Sequence, residues 1–157
     1  MAGVHGRIGG IVQGRDLHVS YEEGSLTGRF GGKVFGKEIA LFFDGQRLDG
    51  RWGGAVDGKD LHCEVSEFEL HGRMGGDVVG WDLDLTFDGR QVTGRAGGSL
   101  AGCDLNLTAE EGRLYGRLGG NVFGKDCDLA VDGVPPLIAA ALAAAVYFQM
   151  HLEQQRH

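Results

Sequence analysis

The sequence predicts an all-β protein with one C-terminal helix: a closed up-and-down barrel of twelve antiparallel strands, built from six hairpin repeats and filled by a central apolar helix. Three observations carry this expectation. The frame Gly-Arg-x-Gly-Gly recurs as GRIGG at Gly6, GRFGG at Gly28, GRWGG at Gly50, GRMGG at Gly72, GRAGG at Gly94 and GRLGG at Gly116, always 22 residues apart. Within each repeat apolar and polar residues alternate with the period of two that a strand with one buried face requires. After the sixth repeat the pattern gives way to LIAAALAAAVYF, Leu137 to Phe148, a run of strong helix formers that is apolar on every side.

Each repeat reads as two strands. In the second, Leu26 to Val34 alternates, placing Leu26, Gly28, Phe30, Gly32 and Val34 on one face and Thr27, Arg29, Gly31 and Lys33 on the other. A turn at Gly36-Lys37 follows, then a strand from Glu38 to Phe43 that buries Ile39, Leu41 and Phe43, then Asp44-Gly45, a strong two-residue hairpin signal. Glu23-Gly24 and Phe68-Glu69 mark the same turn in other repeats. Short turns join antiparallel neighbours, and twelve twisting strands avoid two exposed edges by closing. The expected single domain spans 1–157, with the barrel over 1–133 and the helix over 134–157.

Charges give a register. With two-residue turns, the Arg at the second position of each repeat (Arg7, Arg29, Arg51, Arg73, Arg95, Arg117) faces the seventeenth residue of its own repeat and the eleventh of the one before. The seventeenth positions supply Glu22, Asp44, Asp88, Glu110 and Asp132, with Ser66 in the third repeat. The eleventh positions supply Asp16, Glu38, Asp60, Asp82 and Asp104, and leave Asp126 to meet Arg7 if the sheet closes. This ladder is expected to fix strand register, each exposed pair adding about 0.2–1 kcal/mol.

A twelve-stranded wall is too wide to fill with its own side chains. Val134-Pro135-Pro136 ends the last strand and starts the helix that fills it. Inward glycines at the first and fifth positions are expected to form belts where the helix comes close. Between them lies a ring of graded size, Ile8, Phe30, Trp52, Met74, Ala96 and Leu118, with large residues expected against helix Ala and small ones against Tyr147 or Phe148.

Twelve antiparallel strands around a C-terminal hydrophobic helix resemble the tubby C-terminal domain, an outline shared by LURP-one-related proteins and phospholipid scramblases. The likeness covers the whole chain, rests on strand count and the tail Leu137 to Met150, and implies a plugged barrel. The phosphoinositide-binding basic residues of that family have no counterparts here. The frame Leu48-Asp49-Gly50-Arg51-Trp52 is also similar to MORN repeats, another hairpin meander.

Candidate chemistry is sparse. GGKVFGK (Gly31 to Lys37), GGAVDGK (Gly53 to Lys59) and GGNVFGK (Gly119 to Lys125) approach a phosphate loop, but Glu38, Asp60 and Asp126 stand where it needs Ser or Thr, and a strand follows. His62 and His71 are expected to face each other on the outer surface with Glu64 and Glu69 beside them, a ligand set that could hold zinc. The plainer reading is a solvated pair, so no metal and no cofactor are expected. Cys63 and Cys127 read as core residues and Cys103 as a turn residue. Outward apolar residues Phe35, Phe42 and Phe123, with Trp81 at a turn, mark a candidate rim for a protein partner.

A formal charge of −7 with 24% charged residues argues against nucleic acid or an anionic membrane surface as partner. Three cysteines without paired spacing suit a reducing compartment, and Met1 to Gly6 has no leader-like pattern, so the cytoplasm is expected. The apolar tail is short and Ala-rich for a bilayer span. The functional expectation is a non-enzymatic structural or protein-interaction module, monomeric and of unknown partner; the alternative is a membrane-associated or lipid-binding protein that uses its C-terminal helix.

Overall fold

The computed structural model describes residues 2–10, 14–31, 36–53, 58–76, 79–98, 101–119 and 124–154. Twelve antiparallel strands form a closed barrel in chain order: β1 (Gly3–Ile8), β2 (Arg15–Glu22), β3 (Ser25–Phe30), β4 (Lys37–Phe43), β5 (Arg47–Trp52), β6 (Lys59–Val65), β7 (Glu69–Gly75), β8 (Gly80–Phe87), β9 (Gln91–Gly97), β10 (Gly102–Glu110), β11 (Arg113–Leu118) and β12 (Lys125–Asp132). β1 closes the circle by pairing with β12 from Gly3↔Asp132 to Ile8↔Cys127. The one helix among the described residues, α1 (Pro136–Gln154), runs through the interior.

The strands are six to nine residues long, shorter than the alternation alone suggests. The glycine at the fourth position of the repeat ends them: Gly9, Gly31, Gly53, Gly75 and Gly119 have φ between 88° and 95°, a conformation that stops a strand and is open to glycine. The connection therefore begins at Gly31, not at Gly36, and Phe30 pairs with Lys37 across it. At the other rim, Glu23-Gly24 and Glu111-Gly112 are the two-residue turns, with positive φ at both residues as a type I′ hairpin needs. Asp44-Gly45 is not such a turn. There the Asp44 carboxylate accepts hydrogen bonds from the Gln46 and Arg47 amides at 2.8 and 2.7 Å and organises a four-residue turn closed by Asp44 N–H to Arg47 O. These amide bonds hold the Asp44 carboxyl below its usual range, and the Gln91 and then the Arg90 amide do the same for Asp88.

The register is uniform. Gly6 pairs with Leu17, which pairs with Phe30; the same relation links Gly28, Ile39 and Trp52, then Gly50, Leu61 and Met74. It continues through Gly72, Leu83 and Ala96, then Gly94, Leu105 and Leu118, and returns from Gly116 through Cys127 to Ile8. The first position of one repeat is thus level with the third position of the next. Six such steps give a total stagger equal to the strand number, the ratio that tilts strands by about 36° in eight-stranded barrels of shear 8.

This register explains the first glycine, and it is not a belt for the helix. A β-carbon at Gly28 would lie 1.9 Å from the His18 carbonyl oxygen, and at Gly6, Gly50, Gly72, Gly94 and Gly116 it would meet the carbonyl of Asp128, Ala40, His62, Asp84 or Asn106 at 2.0–2.2 Å. The contact is strand against strand. The fifth glycines in the described residues, Gly10, Gly76 and Gly98, lie past the strand ends and approach no helix atom.

The third-position ring points inward as expected, and all six members are buried. The helix backbone lies nearer the wall from β7 through β12 to β1, where Met74, Ala96, Leu118 and Ile8 project, and the bulky Phe30 and Trp52 fill the opposite side. The pairing with the helix differs from expectation: Trp52 meets Phe148 edge-on, ring centres 6.2 Å apart, because the helix is off-centre and its large residues sit at one end. Nineteen residues of α1 span about 28 Å. That exceeds the strand-built wall, and Leu152 and Glu153 emerge half-exposed at its far end.

If the first glycine is required by the neighbouring carbonyl, Gly28→Ala will cost about 1–3 kcal/mol through forced strand separation, while Gly10→Ala, with open space around it, will stay within about 0.5 kcal/mol. Urea midpoints of the two variants measure the difference, and equal midpoints would remove the steric explanation.

Candidate functional site

The ladder on the outer wall is built within hairpins. Each Arg pairs with the eleventh residue of its own repeat: Arg7–Asp16 at 2.7 Å, Arg29–Glu38 at 4.0 Å, Arg51–Asp60 at 3.0 Å, Arg73–Asp82 at 2.8 Å, Arg95–Asp104 at 3.3 Å and Arg117–Asp126 at 2.7 Å. The expected partners from the preceding repeat and from the seventeenth position are not the ones met, because the hairpin connection is longer than two residues. Across the closing seam Arg7 stands opposite Asp128, not Asp126. The same guanidinium also closes the connection: Arg7 donates from Nε and Nη2 to the Gly10 carbonyl at 3.1 and 2.9 Å, and Arg73 does so to Gly76 at 3.2 and 2.9 Å. In these two hairpins the frame Gly-Arg-x-Gly-Gly is a clasp, holding a turn carbonyl with one edge of the guanidinium and a carboxylate with the other.

His62 and His71 do not face each other. His62 stands opposite Asp49 and Arg73, and His71 opposite Glu64 and Asp84. His62 Nδ1 bonds Asp49 Oδ1, while His71 is clamped with Nδ1 2.7 Å from Asp84 and Nε2 3.1 Å from Glu69. Among the described residues no three His, Cys, Asp or Glu side chains converge, and the register splits the set His62, His71, Glu64 and Glu69. The partners Asp49 and Asp84 escaped sequence reading, although the signal was there: each lies in the same two columns of the repeat as the His it meets.

The aromatic rim is also redrawn. Trp81 points inward at 5% exposure and stacks on Phe148, Tyr147 and His151, with ring centres 4.8–6.0 Å apart. It belongs to the mouth of the core because it opens β8 on the inward face, level with Met74. Phe42 is half-exposed at 51%, against the turn at Gly24, and Phe35 and Phe123 lie outside the described residues. Phe68 and Val79 are exposed as well. The centres of the three glycine-lysine stretches also fall outside the described residues; Lys37, Lys59 and Lys125 each open a strand, so no helix N-terminus is offered to a phosphate.

Inside, the chemistry is muted. Cys63, Cys103 and Cys127 are all buried, Cys103 on the inward face of β10 instead of at a turn, and burial pushes each thiol up to about 12, leaving it neutral and a poor nucleophile. The buried polar side chain among the described residues is Gln149, whose Oε1 accepts the Trp52 indole N–H at 3.0 Å. Sequence reading passed over Gln149 because a polar residue near a helix end is ordinarily exposed. Open grooves lie on the outside, one of about 450 Å³ beside Glu64, Glu69 and His71 and one of about 500 Å³ beside His5 and His18.

The molecule is thus a closed twelve-stranded antiparallel barrel filled by its own C-terminal helix. No family model, curated protein or solved structure matches the chain.

Two outcomes follow from this geometry. Gln149→Leu leaves the buried Trp52 N–H without an acceptor and will cost about 1–3 kcal/mol in urea unfolding; an unchanged midpoint would mean that this bond contributes nothing. For His71, bonds to Asp84 and then Glu69 raise the pKa above the usual 6.5. A group whose folded pKa is raised stabilises fully below its unfolded value and ceases to do so as pH climbs through the folded one. An NMR titration of the His71 ring will therefore give a midpoint above 6.5, and Asp84→Asn will lower it.

Proposed function

We propose that this chain is a non-enzymatic structural or protein-interaction module, a rigid drum whose interior is committed to its own helix and whose wall faces other molecules. The observation that carries this reading is the burial of α1: Ala139 to Ala144 are at most 1% exposed, occupying the space where a barrel of this width would hold a ligand. The neutral buried thiols and the engaged Gln149 amide support it: the interior groups among the described residues are committed to packing. They also suit a reducing compartment such as the cytoplasm. The charge of −7, spread over a wall that carries both signs, favours protein partners over nucleic acid and favours a soluble monomer. From the likeness to tubby-like barrels this reading takes the plugged architecture and no lipid site.

A second reading, membrane association through α1, draws on a specific property: the helix is long and apolar enough to cross a bilayer, with 72% of its most apolar stretch buried in the barrel. Hydrogen exchange separates the two. Under the first, amides of 139–146 exchange only through global unfolding, at the rate set by the full unfolding free energy. Exchange of those amides through a smaller opening, together with flotation on phosphatidylcholine vesicles, would replace the first reading with the second.

A further inference from the structure

Every hairpin brings two outward side chains face to face at one point: the residue before the first glycine and the thirteenth residue of the repeat. The six directly opposed pairs are His5–His18, Thr27–Ala40, Asp49–His62, His71–Asp84, Thr93–Asn106 and Tyr115–Asp128. In the third and fourth hairpins the polar atoms meet, Asp49 with His62, and His71 with Asp84 at 2.7 Å. In those two hairpins the position brings a ring nitrogen within bonding range of the carboxylate opposite. In the first hairpin each imidazole faces another, with ring centres 6.1 Å apart and planes inclined by 43°.

We propose that His5 and His18 form a two-ligand site for a borderline divalent metal ion, Zn²⁺, Ni²⁺ or Cu²⁺, on the outer wall of the β1–β2 hairpin. Neutral imidazole is a preferred ligand for all three ions. Zinc–nitrogen bonds near 2.0–2.1 Å put the centres of two tetrahedrally disposed rings about 5 Å apart. The observed rings need to close by roughly 1 Å, which rotation of two exposed side chains supplies.

The surroundings suit an incompletely ligated ion. The groove of about 500 Å³ beside the pair is floored by Gly3, Val4, Val19, Ala130 and Val131, small or flat neighbours that leave room for water or an outside donor on the remaining coordination positions. Asp132 adds a carboxylate to the same groove. Arg29, opposite His18, is paired with Glu38 at 4.0 Å, and Arg7, two residues along β1 from His5, with Asp16 at 2.7 Å. No three potential ligands converge among the described residues, which makes this a site of two protein ligands with an open side. Such a site binds an ion that a second molecule can share.

The test is calorimetric titration of the untagged full chain with Zn²⁺, Ni²⁺ and Cu²⁺ near neutral pH. One equivalent is expected to bind, and His5→Ala and His18→Ala are each expected to weaken it by more than the ~10-fold that loss of even an outer-shell partner costs a metal site. His62→Ala and His71→Ala are expected to leave it unchanged. Acidification should release the ion, because protons compete for the same nitrogens. Both substituted positions are exposed, so folding is retained and circular dichroism verifies it. In NMR, Cu²⁺ should broaden the amides of β1 and β2 first. Absence of saturable uptake, uptake insensitive to both His5 and His18, or uptake abolished by His62→Ala or His71→Ala would each overturn the assignment.

Discussion

At the first glycine of each repeat, one strand passes its neighbour's carbonyl oxygen at a distance that leaves no room for a β-carbon. That close approach recurs six times around the barrel, always in the same register relation. Because the first position of one repeat is level with the third position of the next, the sheet climbs at a constant rate and meets itself without a fault between β12 and β1. Tilt, radius and the width of the interior follow from that constant climb. The central helix is a consequence: a wall this wide encloses more space than its own side chains occupy, and an apolar void would forfeit the contacts that hold a core together.

The repeat separates two tasks by face. Outward positions carry the Arg and its carboxylate, a pair that recurs within all six hairpins. Inward positions vary, because the plug is one off-centre helix and not a six-fold object. Phe30 and Trp52 occupy the side from which the helix stands away, and Ala96 lies where it comes close. Trp52 also donates to Gln149, so a buried hydrogen bond ties one of the two wall tryptophans to the helix. The outward Arg–carboxylate pairs repeat six-fold, while the lining is asymmetric where it meets the chain's own tail.

Strand number, closure, the inward ring and the buried tail were legible because each rests on a periodic or compositional signal. Register was less legible, and the reason is local. Gly31 can end a strand by taking positive φ or continue it, and alternation through Gly32 and Val34 favoured continuation. Asp44-Gly45 reads as a two-residue turn until the Asp44 side chain is seen to bind two amides and enlarge it. Those shifts of a few residues moved every Arg partner and separated His62 from His71, since cross-strand neighbours depend on register far more than topology does. Trp81 was misplaced for the same reason: once β8 starts at Gly80, its second residue faces inward. The columns that pair His with Asp, and His5 with His18, were visible in the sequence, but only the observed register shows that they are opposed.

The position of the helix in the chain has a consequence for how the molecule comes into being. During synthesis all twelve strands leave the ribosome before α1 does, so the hairpins can form in succession while their inward faces still lack the element that covers them. Pairings within hairpins are local, but Gly3 and Asp132 must find each other across almost the whole barrel sequence, a closure of high contact order. An unfilled meander has an apolar lining and two free edges, and the helix supplies the contacts that make shutting the circle favourable. Birth order casts the C-terminal segment as the step that commits the chain, and the wall waits for its filling.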